Sequence, residues 1–247
     1  MTLLGRPVRG SIHPRYVSRN PFGTGLPSDH LAGYLWRHEP DCPAVWPFSS
    51  FGGQAMTHSS VTEVTQVQTG PTGRAVAQPM EAVLLEAFQQ HLTLERQASA
   101  AYFAMAIWFA ERDLVGFSHF YKGESADEQQ HAARFADYLI ARGQAVVLEA
   151  IPAPQQTWLS PEQILAASFQ MESEVTASLQ QIYAMAERCS DIRSTTFLDP
   201  LVDEQLSSEN RFAHLLGRVR FAQQQPAALL IIDGEVGQGK HEPASLV

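Results

Sequence analysis

The chain is poor in cysteine and has no long apolar run. Only Cys42 and Cys189 occur in 247 residues, and they fall in different regions. That placement excludes a disulfide framework and a cysteine-based zinc site, and makes a reducing, cytoplasmic compartment the default. No window approaches the ~18 consecutive apolar residues of a transmembrane helix. The opening MTLLGRPVRG lacks the basic and apolar regions of a secretory signal. Its many Pro and Gly residues argue against the amphipathic helix of a transit peptide. Positive charge is also scarce: the formal net charge is −9. An acidic chain is a poor partner for nucleic acid held by phosphate neutralisation, and is suited to attracting cations.

The charge is unevenly spread. Residues 1–79 net +2 and carry nine Pro and nine Gly, whereas residues 80–247 net −11 and carry six Pro and seven Gly. Residues 1–79 therefore read as a mostly irregular leader, with Met56 as an alternative natural start. Residues 80–235 read as one helical domain, and 236–247 as a flexible tail. The leader holds Trp36, Trp46, Phe48 and Phe51, which are apolar enough to pack.

From Met80 the apolar residues recur at helical spacing: Leu84, Ala87, Phe88, His91, Leu92, Ala98, Tyr102, Met105 and Phe109 among them. The pattern predicts a helix over 80–110 and a second over 113–142, ended by Gly143. A third is predicted over 161–188, opened by Ser160, Pro161 and Gln163 as N-cap, N1 and N3. The fourth is predicted over 192–222, with Pro200 near its first turns, and a short fifth over 227–233. Helices of that length span ~45 Å. A linker of some 17 residues without helix needs a task in a compact domain. Crossing the length of a bundle is such a task, so that helices two and three run parallel. The fold class is all-α, a four-helix bundle with one long crossover.

Chemistry enters through Glu128-Gln129-Gln130-His131, a Glu and a His at i and i+3 on one helical face. Carboxylate and imidazole together suit iron, zinc or manganese. Alone the pair is common on solvated faces. Its company is not: Glu95 precedes Glu128 by 33 residues, and Gln205 follows Glu172 by 33. The chain thus reads twice as one hairpin, first ending in Glu-x-x-His and then in Gln205-x-x-Ser208. Carboxylates amid apolar stripes are costly to bury unless they are paired or hold a cation.

These residues carry a resemblance to the ferritins, specifically the prokaryotic non-haem ferritins. The matching motifs are Leu94-Glu95-Arg96 with Tyr102, Asp127 to His131, Phe169-Gln170-Met171-Glu172, and Asp203-Glu204-Gln205, over about 82–222 plus the fifth helix. The resemblance implies an iron-storage ferroxidase: a homo-oligomeric cage of 24 subunits that oxidises Fe²⁺ to Fe³⁺ with O₂ or peroxide at a non-haem di-iron centre and stores ferric mineral. It implies Glu95 and His131 on the first iron, Glu128 bridging, Glu172 with Gln205 at the second, and Tyr102 as a nearby electron donor. Gln129 stands where bacterioferritins place a haem-ligating methionine, so no haem is expected. Ser207 and Ser208 stand where some relatives have glutamates, which weakens a third iron site, although Asp127 and Glu204 match two of its positions. Glu209 is one residue off that register. Glu124, Asp127, Asp199 and Glu204 form a candidate path from the centre to the cage interior. The competing readings are a rubrerythrin-like di-iron peroxidase or oxidase and a catalytically silent cage subunit. Neither nucleic acid nor membrane is expected as a partner.

Overall fold

The computed structural model describes residues 67–223 and 225–243. The expectations for residues 1–66, including a start at Met56, lie outside the described residues. Five helices follow in order: α1 (Ala82–Ala110), α2 (Val115–Ala141), α3 (Pro161–Arg188), α4 (Ile192–Phe221) and α5 (Pro226–Val236). Each lies where the periodicity predicts it, with α5 extending three residues further. No described helix is long and apolar enough to cross a membrane.

Local chemistry fixes the ends. At α3 the Ser160 hydroxyl accepts from Gln163 N, and the Gln163 side chain accepts in return from Leu159 N at 2.7 Å. Gly143 follows α2 at φ +73°, in the left-handed region that glycine enters freely. There Gln144 N donates back to Leu139 O. Asp191 caps α4 and also receives a two-pronged ion pair from Arg142, with Nη2 to Oδ2 at 2.7 Å. Both side chains are buried, so the end of α2 is tied to the start of α4. Pro200 lies inside α4, which continues through it. Cys189 is the C-cap of α3, its backbone N–H donating to Met185 O at 3.0 Å.

α1 packs along α2 and α3 along α4, while α1 also meets α3. The 142–160 segment is extended and runs along α1. Gln89 Nε2 holds Ala145 O at 2.8 Å, Arg96 Nη1 holds Glu149 O at 2.7 Å, and Pro154 and Gln156 line a hollow beside Ala104 and Trp108. The segment therefore advances up α1 as α1 itself advances, as a lengthwise crossover requires. Before α1, residues 67–79 contain no helix, but they dock: Thr69 bridges to Ala75, and Arg74 Nη1 donates to Ile140 O at 3.0 Å at the end of α2.

The apolar core falls into two clusters. One gathers Tyr102, Phe109, Phe117, Tyr121, Ile164, Phe212 and Ile232. The other gathers Leu84, Phe88, Phe135, Leu139, Leu179, Ile182 and Leu198. On α1 to α4 in turn, Glu95, Glu128, Glu172 and Gln205, the residues singled out by spacing, fall between the two clusters.

α5 closes the first cluster against the start of α2. Asp233 Oδ1 accepts from Phe117 N at 2.8 Å, and a Cβ placed on Gly116 would lie 1.8 Å from Asp233 O. Gly116→Ala must therefore separate α5 from α2. It is expected to cost about 1–3 kcal/mol, as overpacking does. Denaturant unfolding should register the loss, and amide exchange across residues 226–236 should quicken. Unchanged protection there would contradict the close approach.

Candidate metal centre

The polar layer between the two clusters contains Glu95 on α1, Glu128 and His131 on α2, Glu172 on α3 and Gln205 on α4. The three glutamates are 1–5% exposed and Gln205 7%. Glu95, Glu128 and His131 each offer a ligand atom, and these atoms lie within 4.8 Å of one another. His131 Nδ1 sits 3.0 Å from Glu128 Oε2, as i and i+3 on one helix allow.

Glu172 is held separately on the facing hairpin. The Tyr102 hydroxyl donates to Glu172 Oε1, and Gln205 Nε2 donates to Glu172 Oε2 at 2.6 Å and to Glu172 O at 3.1 Å. The 33-residue spacing thus becomes a direct contact between α3 and α4. Gln205 offers a donor where the first hairpin offers a second carboxylate.

Burial sets the electrostatics. It raises Glu95, opposed by the adjacent Glu128 carboxyl and by His131. It likewise raises Glu128, opposed by the hydrogen bond with His131 and helped by Glu95, and it raises Glu172, helped by Glu128. Burial also pushes Tyr102 well above the usual tyrosine range, helped by Glu172 and Glu128. Burial opposes protonation of His131, but its hydrogen bond to Glu128 and the carboxylates of Glu95 and Glu204 outweigh that and raise it to about 9. In the metal-free protein the layer holds protons that a cation would displace.

Of the remaining candidates, Glu124 and Glu204 border this layer. Glu124 is buried one turn before Glu128, raised to about 8 by burial despite Arg211, whose Nη1 bonds its Oε1 at 2.9 Å. Glu204 is more exposed, bound by Arg134 at 2.6 Å and 3.6 Å from His131 Nε2. Asp127 and Asp199 are exposed, and Asp199 accepts from the Tyr183 hydroxyl at 3.0 Å. Glu209 accepts from the Thr176 hydroxyl.

Three neighbours escaped the sequence reading as site residues. By spacing His91 belongs to the apolar stripe, yet its Nε2 lies 2.8 Å from Glu95 Oε1 and it is fully buried. Burial lowers it to about 3, against the pull of Glu128, so it is neutral. Its position four residues before Glu95 was the available signal. Arg211 and Arg134 gave none, because their partners lie 87 and 70 residues away. Arg211 also bonds Glu242 at 2.5 Å, bringing the segment after α5 back onto α4.

The raised groups fix a pH dependence. Glu124 rises from 4.5 to about 8 and His131 from 6.5 to about 9. Between pH 6.5 and 8 the folded chain therefore binds more protons than the unfolded one, and stability is lost as the pH rises. His91 acts in the opposite sense, but only below 6.5. The melting temperature of the metal-free protein should fall from pH 6.5 to 8, and saturating Co²⁺ should flatten the slope. A rising profile without metal would refute the assignment of these protons.

Similarity to known proteins agrees with this geometry. The family model described as a ferritin-like domain matches residues 85–222. A ferritin of Pacifastacus leniusculus is 31% identical over 157 residues, covering 62% of this chain and 87% of that protein. A bacterial non-heme ferritin of Staphylococcus haemolyticus is 30% identical over 129 residues, covering 52% and 78%. Among solved structures, an open-pore ferritin from Archaeoglobus fulgidus superposes with a TM-score of 0.64 at 26% identity, covering 65% of this chain and 98% of that one.

Proposed function

We propose that this chain, which belongs to the ferritin family, is an iron-storage ferroxidase that oxidises Fe²⁺ at the polar layer of its bundle. The observation that carries this reading is the group of buried Glu95 and Glu128 with half-buried His131, beside a Glu172 already oriented by Tyr102 and Gln205. Fe²⁺ is the substrate. Glu95 and His131 take the first ion, Glu128 bridges, and Glu172 takes the second.

The chemistry follows from the ligands. Hard carboxylate oxygens favour Fe³⁺ over Fe²⁺ and so ease oxidation. Two adjacent ions deliver two electrons to one O₂, which with two protons becomes hydrogen peroxide and leaves two Fe³⁺. Entry of the cations releases the protons held by Glu95, Glu128, Glu172 and His131, whose nitrogen must be free to bind. Tyr102, against Glu172, is the nearby donor for a further electron.

The second half of the site is weaker by construction. Gln205 brings no charge and uses its amide on Glu172, so an ion there has fewer anionic ligands than its neighbour. That asymmetry favours passing iron onward over keeping a permanent di-iron cofactor. Glu124, Asp127, Asp199 and Glu204 are the proposed way onward, into the mineral-filled interior of a cage of 24 subunits.

Anaerobic loading with Fe²⁺ followed by air tests the reading. The wild type is expected to oxidise many irons per subunit and to yield a large soluble iron-bearing particle. Glu128→Ala is expected to lose the fast phase by at least ~100-fold, since it removes the shared ligand. A wild type that stops at two irons per subunit, or a Glu128→Ala variant with an intact fast phase, would overturn it.

A further inference from the structure

We propose that His91 and Ser178 act as a buried positioning pair for Glu95, holding its Oε1 so that only Oε2 is presented to a cation. This rests on the reading of Glu95 as an iron ligand and goes beyond it, because it says how that ligand binds.

The pair spans two helices. His91 lies on α1, one turn before Glu95, and its ring is tilted by 45° against that of Phe135 with centroids 4.4 Å apart. It is wholly excluded from solvent. Nδ1 is 2.8 Å from the Ser178 hydroxyl on α3, and Nε2 is 2.8 Å from Glu95 Oε1 on its own helix. A neutral imidazole has one donor and one acceptor. A metal-binding Glu95 is ionised and accepts only, so Nε2 must carry the hydrogen that faces it. Nδ1 is then the acceptor, and Ser178 must donate. The order Ser178 Oγ–H to His91 Nδ1, His91 Nε2–H to Glu95 Oε1 is the arrangement in which every group in the row has a complementary partner.

Two buried atoms mark the row as poised for a further ligand. His91 Nε2 and Glu95 Oε2 both lack a hydrogen-bond partner. The His91 Nε2 to Glu95 Oε1 separation is that of a hydrogen bond, but its alignment is not. Buried polar atoms are rarely left so. A cation drawing Oε2 toward Glu128 and His131 rotates the carboxylate. That rotation is what lets Oε1 meet the Nε2 hydrogen. Contacts of this kind are often long or bent until the ligand binds, and partners behind the ligands orient them. A single oxygen offered by Glu95 leaves coordination positions on the first ion open to Glu128 and to the oxidant.

Co²⁺ reports this without turnover, through its ligand-field absorption. In the full-length chain, His91→Leu is expected to weaken Co²⁺ binding at the centre roughly 10-fold or more and to shift the absorption band. His91→Gln, whose amide can still donate, should recover most of both. Ser178→Ala leaves the imidazole in place and removes the group that sets its tautomer. It should move affinity and band the same way by a smaller factor. Ser178→Ala serves as the deciding variant if His91→Leu fails to fold. A folded His91→Leu or Ser178→Ala with wild-type Co²⁺ affinity and spectrum would overturn the proposal, as would equal impairment by Leu and Gln. Glu128→Ala separates the two levels: if the wild type and Glu128→Ala bind Co²⁺ alike, the metal-site reading fails and the positioning pair with it.

Discussion

Everything in this bundle is arranged around carboxylates almost wholly withdrawn from bulk water. Glu95, Glu124, Glu128 and Glu172 occupy one stretch of a helical core, on α1, α2 and α3. Isolated buried charges of this kind cost several kcal/mol each after relaxation. Only Glu124 has an arginine, and the others share protons, a histidine, a tyrosine and an amide. Such a layer separates the apolar residues into two clusters instead of one continuous core. The clusters at either end, with the Arg142–Asp191 clamp and the α5 lid, supply the rigidity that keeps the layer closed.

The two hairpins solve the same problem differently. In the first, Glu128 and His131 on α2 reach toward Glu95 on α1. In the second, Gln205 on α4 bonds Glu172 on α3 twice. The first is held together by sharing protons and the second by conventional donors. A cation therefore meets more anionic ligands in the first half than in the second, where it must also compete with Tyr102 and Gln205 for Glu172. The order of filling proposed here follows from that difference, not from distance alone.

The bundle was legible because its signals were local. Period, N-cap and Gly143 placed four helices to within two residues at each end. The 33-residue repeat paired the right helices, because a hairpin of fixed length turns sequence spacing into height along the bundle. α5 was shortened in the reading because Asp233 and Glu235 interrupt its apolar run; they are tied to Phe117 N and Arg218 instead. What the sequence could not convey was cross-bundle pairing. Arg211 looks like any surface arginine until Glu124 and Glu242 are seen on either side of it. His91 looks like part of an apolar stripe until Glu95 is known to need a partner.

That last case shows why the row behind Glu95 belongs to the chemistry and not to packing alone. A side chain chosen for filling space at position 91 would be apolar, since the site is fully enclosed and Phe135 already lies against it. An imidazole there needs a partner at each nitrogen, and the fold supplies Ser178 of α3 to Nδ1 and sets Glu95 of α1 2.8 Å from Nε2, off hydrogen-bond alignment. The same contact couples the two hairpins at the level of the polar layer, where α1 meets α3. A ligand that must rotate when a cation arrives, and return when the cation leaves, is better served by a directional partner than by an apolar wall. The histidine gives Glu95 a defined orientation while leaving its other oxygen free, which is what a site that repeatedly binds and releases its substrate requires.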